Sequence, residues 1–277
     1  MVFCPYAGEL TYNAPMSYST PTAHDRRSRQ SPGRKLPILA LLMLFTGLGF
    51  SLGLAPLSHG KEPLRIAVAA NFRAAAEQLG ERFGATTGQP VVVSSASTGV
   101  LAAQLRNGAP FDLLLAADQA RPQMLVDEGV AIAPTRCYAL GSLVLLGAES
   151  INAALADAGK SIAIANPRSA PYGAAALAVL ERQGFADAQT RRVVMGSNVQ
   201  QAYQFYAASA TDLGLVARSL SPQAGLPIPT DWHPRIEQHV IVSAASTQTA
   251  LADSFIAYLL SPEAEPILQS FGYKSCL

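Results

Sequence analysis

Four short polar stretches hold the groups that could do chemistry: Ala70-Asn71, Ser97-Thr98-Gly99, Pro171-Tyr172-Gly173 and Asn198-Val199. Each follows an apolar run and precedes a helical pattern, so each reads as the turn from the end of a strand into the start of a helix. The first turn of a helix leaves main-chain N–H groups without acceptors and carries a partial positive charge. The hydroxyls of Ser97, Thr98 and Tyr172 and the amide of Asn71 would add donors without adding charge. Ligands of open α/β sheets bind beyond the carboxyl ends of the strands. Four such turns around one cleft would suit a small tetrahedral dianion, which only accepts hydrogen bonds. A hydrogen bond to a charged group is worth about 1.5–3 kcal/mol, so about seven of them hold a dianion without Lys or Arg. Plainer roles compete: Asn71 as a helix N-cap, Ser97 and Thr98 as turn residues, Tyr172 as packing between lobes.

Other reactive side chains give weaker patterns. Asp112 and Asp118 resemble a catalytic carboxylate pair, but free carboxylates beside an anion site would oppose binding, so they read as structural. His233 and His239, with Asp231 and Glu237, hint at a metal site only faintly, because a Pro-rich loop of that spacing is ordinary surface. There is no Gly-x-Ser-x-Gly elbow and no His-Glu-x-x-His. The glycines 47, 49 and 53 have no strand before them and make no nucleotide loop. The expectation is a binding protein, not an enzyme. Cys137 and Cys276 either pair in an exported chain or remain free thiols, and the sequence leaves both open.

The elements that position these turns follow from periodicity. Ile66 to Ala70 is apolar without alternation, as in a strand covered on both faces. Phe72, Ala75, Ala76, Leu79 and Phe83 then lie on one face of a 3.6-residue period. Strands are expected at Pro90–Ser95 and Phe111–Ala116, with helices around Leu101 and Leu105 and over Gln119–Asp127. Three βα units in a row predict a mostly parallel α/β sheet with helices on both sides. Tyr138 to Gly147 is an apolar run that crosses to a second lobe. Strands are expected at Ser161–Ala165, Val193–Met195 and Asp212–Ala217, and His239–Ala244 as the return strand. Thr247–Leu260 and Pro262–Gly272 read as closing helices.

The first sixty residues differ from the rest. A polar leader with Arg26, Arg27, Arg29, Arg34 and Lys35 precedes the uncharged run Leu36–Leu54. This describes a secretory signal ending near Ser58–Gly60, with Met16 as an alternative start; an uncleaved anchor is the competing reading. From Lys61 onward fifteen Lys and Arg face seventeen Asp and Glu, which excludes the basic stripe of a nucleic-acid partner.

Taken in order, Ala-Ala-Asn-Phe after a strand, Ser-Thr-Gly, Asp112 with Ala116-Ala117-Asp118, Pro-Tyr-Gly and Leu-Gly-Leu-Val-Ala resemble the periplasmic molybdate-binding proteins of molybdate ABC importers. The resemblance runs from about Leu64 to the C-terminus. It implies a two-lobed type II periplasmic binding protein fold with the ligand in the interlobe cleft: 1–60 leader and signal, 61–140 plus 245–277 the first lobe, 141–244 the second. It implies molybdate or tungstate as ligand, no cofactor, an inner-membrane ABC permease as partner, and a periplasmic monomer. Sulfate or thiosulfate reception is the alternative, an exported hydrolase a more remote one. Carried onto this chain, the binding residues are Ala70, Asn71 (main chain and side chain), Ser97 and Thr98, Tyr172 (hydroxyl, main chain or both) and Val199 (main chain). Where some members have a Tyr, this chain has Ala217, and the resemblance leaves Tyr172 to supply that hydroxyl.

Overall fold

Strand β1, Leu64–Ala69, is buried at every residue except Arg65, which is half-buried. This is the two-sided burial that its unbroken apolar run requires. The structure, a computed structural model, describes residues 61–276 apart from 183, 187 and 188; the leader and its apolar run lie outside the described residues. After β1 a single 3-10 turn, Ala70–Phe72, leads into α1, Arg73–Thr87. Ala75, Ala76, Leu79 and Phe83 form the buried face of α1, as their spacing predicts. Gly88 ends it in the left-handed conformation and donates its N–H to Gly84 O.

The first sheet is completed by β2 (Val91–Ala96), β3 (Leu113–Ala116), β4 (Ala131–Gly141) and β10 (Ile236–Ser243), with α2 (Thr98–Arg106) and α3 (Ala120–Asp127) between them. Its order is β2-β1-β3-β10-β4. β1 runs parallel to β2 and β3, and β10 antiparallel to β3 and β4. One face packs on α1 and the two closing helices, α7 (Thr249–Leu259) and α8 (Glu265–Ser270), through Phe72, Leu79, Phe83 and Phe255. Leu101, Leu105 and Leu125 of α2 and α3 cover the other.

The second sheet repeats the plan. It comprises β5 (Leu143–Leu146), β6 (Ile162–Ala165), β7 (Val193–Gly196), β8 (Leu213–Ala217) and β9 (Leu226–Pro227), with α4 (Ile151–Ala156), α5 (Pro171–Leu180) and α6 (Val199–Ala207). The order is β7-β6-β8-β5-β9, and β6 is again parallel to both neighbours. This is the two-lobed fold that the resemblance implies.

The chain crosses between sheets twice, at Ser142 and again between β9 and β10. The second crossing corrects the expected lobe boundary. The expected second lobe, 141–244, takes in β10, whereas β10 pairs with β3 and β4 in the first sheet. Val240, Ile241 and Val242 are buried opposite Leu115, Leu114 and Leu113, so its apolar run belongs to the first core. Among the described residues no helix is long and apolar enough to cross a membrane.

Candidate functional site

The carboxyl ends of β1, β2, β3, β6 and β7 deliver their following turns to one small cavity between the lobes. It is lined by Ala69, Ala70 and Asn71; Ser97 and Thr98; Ala117; Ala170, Pro171 and Tyr172; and Asn198 and Val199. Its cavity volume is about 10 Å³, far below the range of about 300–1,000 Å³ usual for drug-sized ligands. None of the lining residues is charged. All six residues expected from the sequence meet here, each no more than 5 % exposed.

Local sequence explains why the wall is made of N–H groups. Thr98 and Val199 open α2 and α6, and Tyr172 is the second residue of α5. At these positions the helix has no acceptor for the main-chain N–H, and no partner for them occurs among the described residues. Pro171 begins α5 with its ring at the one place where a missing N–H costs nothing. Asn198 caps α6 by accepting from Gln201 N–H at 3.0 Å, and Gln201 reaches back to Ser197 N–H at 2.6 Å. This reciprocal cap fixes the angle at which α6 meets the cavity. Three helix N-termini thus bring their positive ends to one place.

The two hydroxyls after β2 differ in role. Ser97 sits at the N-cap of α2 but does not cap it, and its buried Oγ has no hydrogen-bond partner. A buried hydroxyl left unpaired at a cavity wall is what an anion site requires and a packing role does not. Thr98 Oγ1 accepts from Ala117 N–H at 3.1 Å, pinning the turn after β3 to the start of α2. Its own proton remains for donation.

The side chains of Asn71 and Tyr172 have partners behind the cavity. Asn71 lies within the 3-10 turn, not at an N-cap, and both protons of its amide are taken, by Gln238 Oε1 at 2.9 Å and Tyr273 Oη at 2.9 Å. The Tyr172 hydroxyl is buried at the first crossing. It receives a long contact from Gln238 Nε2 at 3.5 Å, and a Cβ on Gly141 would stand 1.9 Å from its oxygen, so only glycine fits there. Burial first, then the neighbouring Tyr273, pushes its pKa well up against the opposing Gln238 bond, so it stays a neutral hydroxyl. Both residues therefore offer the cavity their main chain. Among the described residues of the wall, the buried hydroxyl without a hydrogen-bond partner is that of Ser97.

The remaining reactive groups have structural work. Asp112 accepts from Arg65 N–H at 2.8 Å and Ser246 Oγ at 2.6 Å, joining β1 to the approach to α7. Asp118 accepts from Arg121 N–H at 3.1 Å at the start of α3 and pairs with the Arg121 guanidinium. Neither lines the cavity. Cys137 and Cys276 form a disulfide, so Cys137 has no thiolate to offer beside Glu237 and His239. His239 Nε2 lies 3.6 Å from Glu237 Oε2, and its Nδ1 is 3.2 Å from Thr135 Oγ1. His233 is buried, contrary to the surface loop expected, with its Nδ1 2.8 Å from Pro234 O.

Sequence reasoning missed Gln238, Tyr273 and Ser219, which lie behind the cavity. Ser219 Oγ and Tyr273 Oη donate to Asn71 O at 2.7 and 2.8 Å. All three are far from Asn71 in sequence, and no local pattern marks them. Of the other wall residues, the sequence shows Asn198 as part of the fourth polar turn and Ala117 only within the Ala116-Ala117-Asp118 motif.

Closure of the lobes over this cavity rests on close main-chain approach. Gly99 N–H donates to Ser169 O of the other lobe at 2.8 Å, and a Cβ there would lie 3.0 Å from that oxygen. Arg121 Nη2 donates across the same rim to Arg168 O at 2.9 Å.

The chain is similar to known proteins along most of its length. Residues 64–274 match the family model described as bacterial extracellular solute-binding protein. The chain is 36 % identical over 224 residues to the molybdate-binding protein ModA of Azotobacter vinelandii, covering 76 % of this chain and 89 % of that protein. It is 34 % identical over 239 residues to ModA of Rhodobacter capsulatus, covering 82 % and 94 %. The solved structure of the Azotobacter vinelandii periplasmic molybdate-binding protein superposes with a TM-score of 0.71 at 32 % identity, over 77 % of this chain and all of that one. With the family model spanning both lobes and every turn of the cavity, the chain belongs to the bacterial extracellular solute-binding protein family.

Proposed function

We propose that this protein captures molybdate, and tungstate with it, in the interlobe cavity and delivers it to an inner-membrane ABC permease. It does so as an exported periplasmic monomer without a cofactor. The observation that carries this reading is the wall itself: buried, uncharged, made of helix N-termini and one unpaired hydroxyl. A doubly negative oxyanion fits that chemistry because it offers only acceptors. The donors assigned to it are the main-chain N–H groups of Ala70, Asn71, Thr98, Tyr172 and Val199 and the hydroxyls of Ser97 and Thr98. The named relatives, molybdate-binding proteins across nearly their whole length, support the choice of anion. They also support the periplasmic site of action and the reading as a receptor rather than an enzyme.

Selectivity follows from size and protonation. Sulfate has shorter bonds and would meet a ring of donors spaced for a larger anion poorly. Phosphate keeps a proton at neutral pH and would need an acceptor, and no carboxylate lines the cavity. Calorimetric titration of the purified protein with molybdate, tungstate, sulfate and phosphate tests this. The first two bind tightly and sulfate at least tenfold more weakly; sulfate binding as tight as molybdate overturns the size argument.

A further inference from the structure

We infer that Ser219, with Gln238 holding its partner Asn71 in place and neither of them touching the cavity, latches the two lobes shut behind it and so sets how fast a bound oxyanion leaves. This rests on the function proposed above. Asn71 belongs to the first lobe, in the turn after β1. Its carbonyl accepts from Ser219 Oγ at 2.7 Å, and Ser219 lies in the 3-10 turn Arg218–Leu220 that follows β8 of the second lobe. Gln238, on β10 of the first lobe, accepts from the Asn71 amide at 2.9 Å and points its own amide at the Tyr172 hydroxyl of the second, 3.5 Å away. Tyr273 closes the circuit, receiving from the Asn71 amide at 2.9 Å and donating to the Asn71 carbonyl at 2.8 Å.

Every member of this circuit is buried. It passes through two of the residues whose main chain faces the cavity, one from each lobe. When the lobes part about the two crossings, Ser219 separates from Asn71 and water takes its place, whereas the Gln238–Tyr172 contact lies against Gly141 at the first crossing and moves least. The Ser219 bond therefore counts only in the closed form, and Ser219 and Gln238 are positioning residues, acting on the ligand through Asn71. Ser219→Ala is a clean probe, because the Asn71 carbonyl keeps its bond from Tyr273 and no buried acceptor is left unpaired.

The test is stopped-flow binding of molybdate to the wild type, Ser219→Ala and Ser219→Thr, with small-angle scattering of each protein free of ligand. Losing one net hydrogen bond from the closed form alone raises the dissociation rate of Ser219→Ala roughly five- to tenfold, leaves the association rate within about twofold, and is reversed by Ser219→Thr. A dissociation rate unchanged in Ser219→Ala, or an association rate that falls by the same factor, overturns the latch. If the wild type binds no oxyanion, the functional reading fails and scattering judges the latch separately. A larger radius of gyration for ligand-free Ser219→Ala and Gln238→Leu supports it, and a radius equal to that of the wild type overturns it.

Discussion

At the scale of single residues, the site depends on which polar atoms are already engaged. Ser97 and Thr98 are adjacent hydroxyls of similar exposure, yet one is free and the other holds Ala117. Ser97→Ala removes a donor to a charged ligand and nothing else in the protein, so it weakens molybdate binding roughly 10- to 100-fold with an unchanged melting temperature without ligand. Calorimetry and thermal denaturation check the two halves. His239 gives a second residue-level prediction. Burial drives its pKa below the ordinary 6.5, against the opposing pull of Glu237. The unfolded chain therefore takes the proton first. Above that value His239 has no effect on stability, and as pH falls below about 6.5 the fold loses stability until the folded-state pKa is passed. Denaturant unfolding at pH 7.5 and 5.5 should show a smaller acid loss in His239→Gln than in the wild type.

At the scale of elements, the two sheets are built around the same device. Asp112 and Asp212 each stand just before a central strand, β3 and β8, and each accepts a main-chain N–H at the start of the neighbouring strand, from Arg65 and Ser161, both at 2.8 Å. Hydrogen bonds from the Ser161 hydroxyl and N–H hold the Asp212 carboxyl below its usual pKa. Asp112 is thus a joint of the first sheet. Asp112→Asn lowers the melting temperature by a few degrees and leaves molybdate affinity within about twofold; a hydrolase using this carboxylate would show the reverse pattern. Most elements were legible because their signals are local. The unbroken run of β1, the 3.6-residue face of α1 and the polar turn at Asn198 need no distant partner. β4 was not legible over Ala131–Arg136, because an edge strand with mostly exposed residues carries little apolar pattern. β10 was read as a strand, yet its sheet could not be, since pairing partners more than a hundred residues away set it. The same limit applies at the site. The turns were visible, whereas the direction of the Asn71 and Tyr172 side chains depends on Gln238 and Tyr273, which only the folded chain brings near.

At the scale of the whole molecule, the C-terminal tail ties the first lobe to the site. The disulfide Cys137–Cys276 joins β4 to the chain end across 139 residues, and Leu140 and Lys274 exchange main-chain bonds of 2.8 and 3.1 Å beside it. Between these anchors and α8 stands Tyr273, which holds Asn71. A loop of that length restricts the unfolded chain by up to about 5 kcal/mol in the loop-entropy account. The double change Cys137→Ser with Cys276→Ser should therefore cost about 2–5 kcal/mol in denaturant unfolding. With the Leu140–Lys274 pair left intact, molybdate binding should persist.

The central claim is that neutral donors from separate turns grip the anion. A crystal structure of the protein grown with molybdate tests it most directly. One anion is expected in the interlobe cavity, with main-chain N–H groups of Asn71, Thr98, Tyr172 and Val199 and the Ser97 hydroxyl within about 2.7–3.2 Å of its oxygens. An anion bound elsewhere, or one held in that cavity by a Lys or Arg side chain, would contradict it.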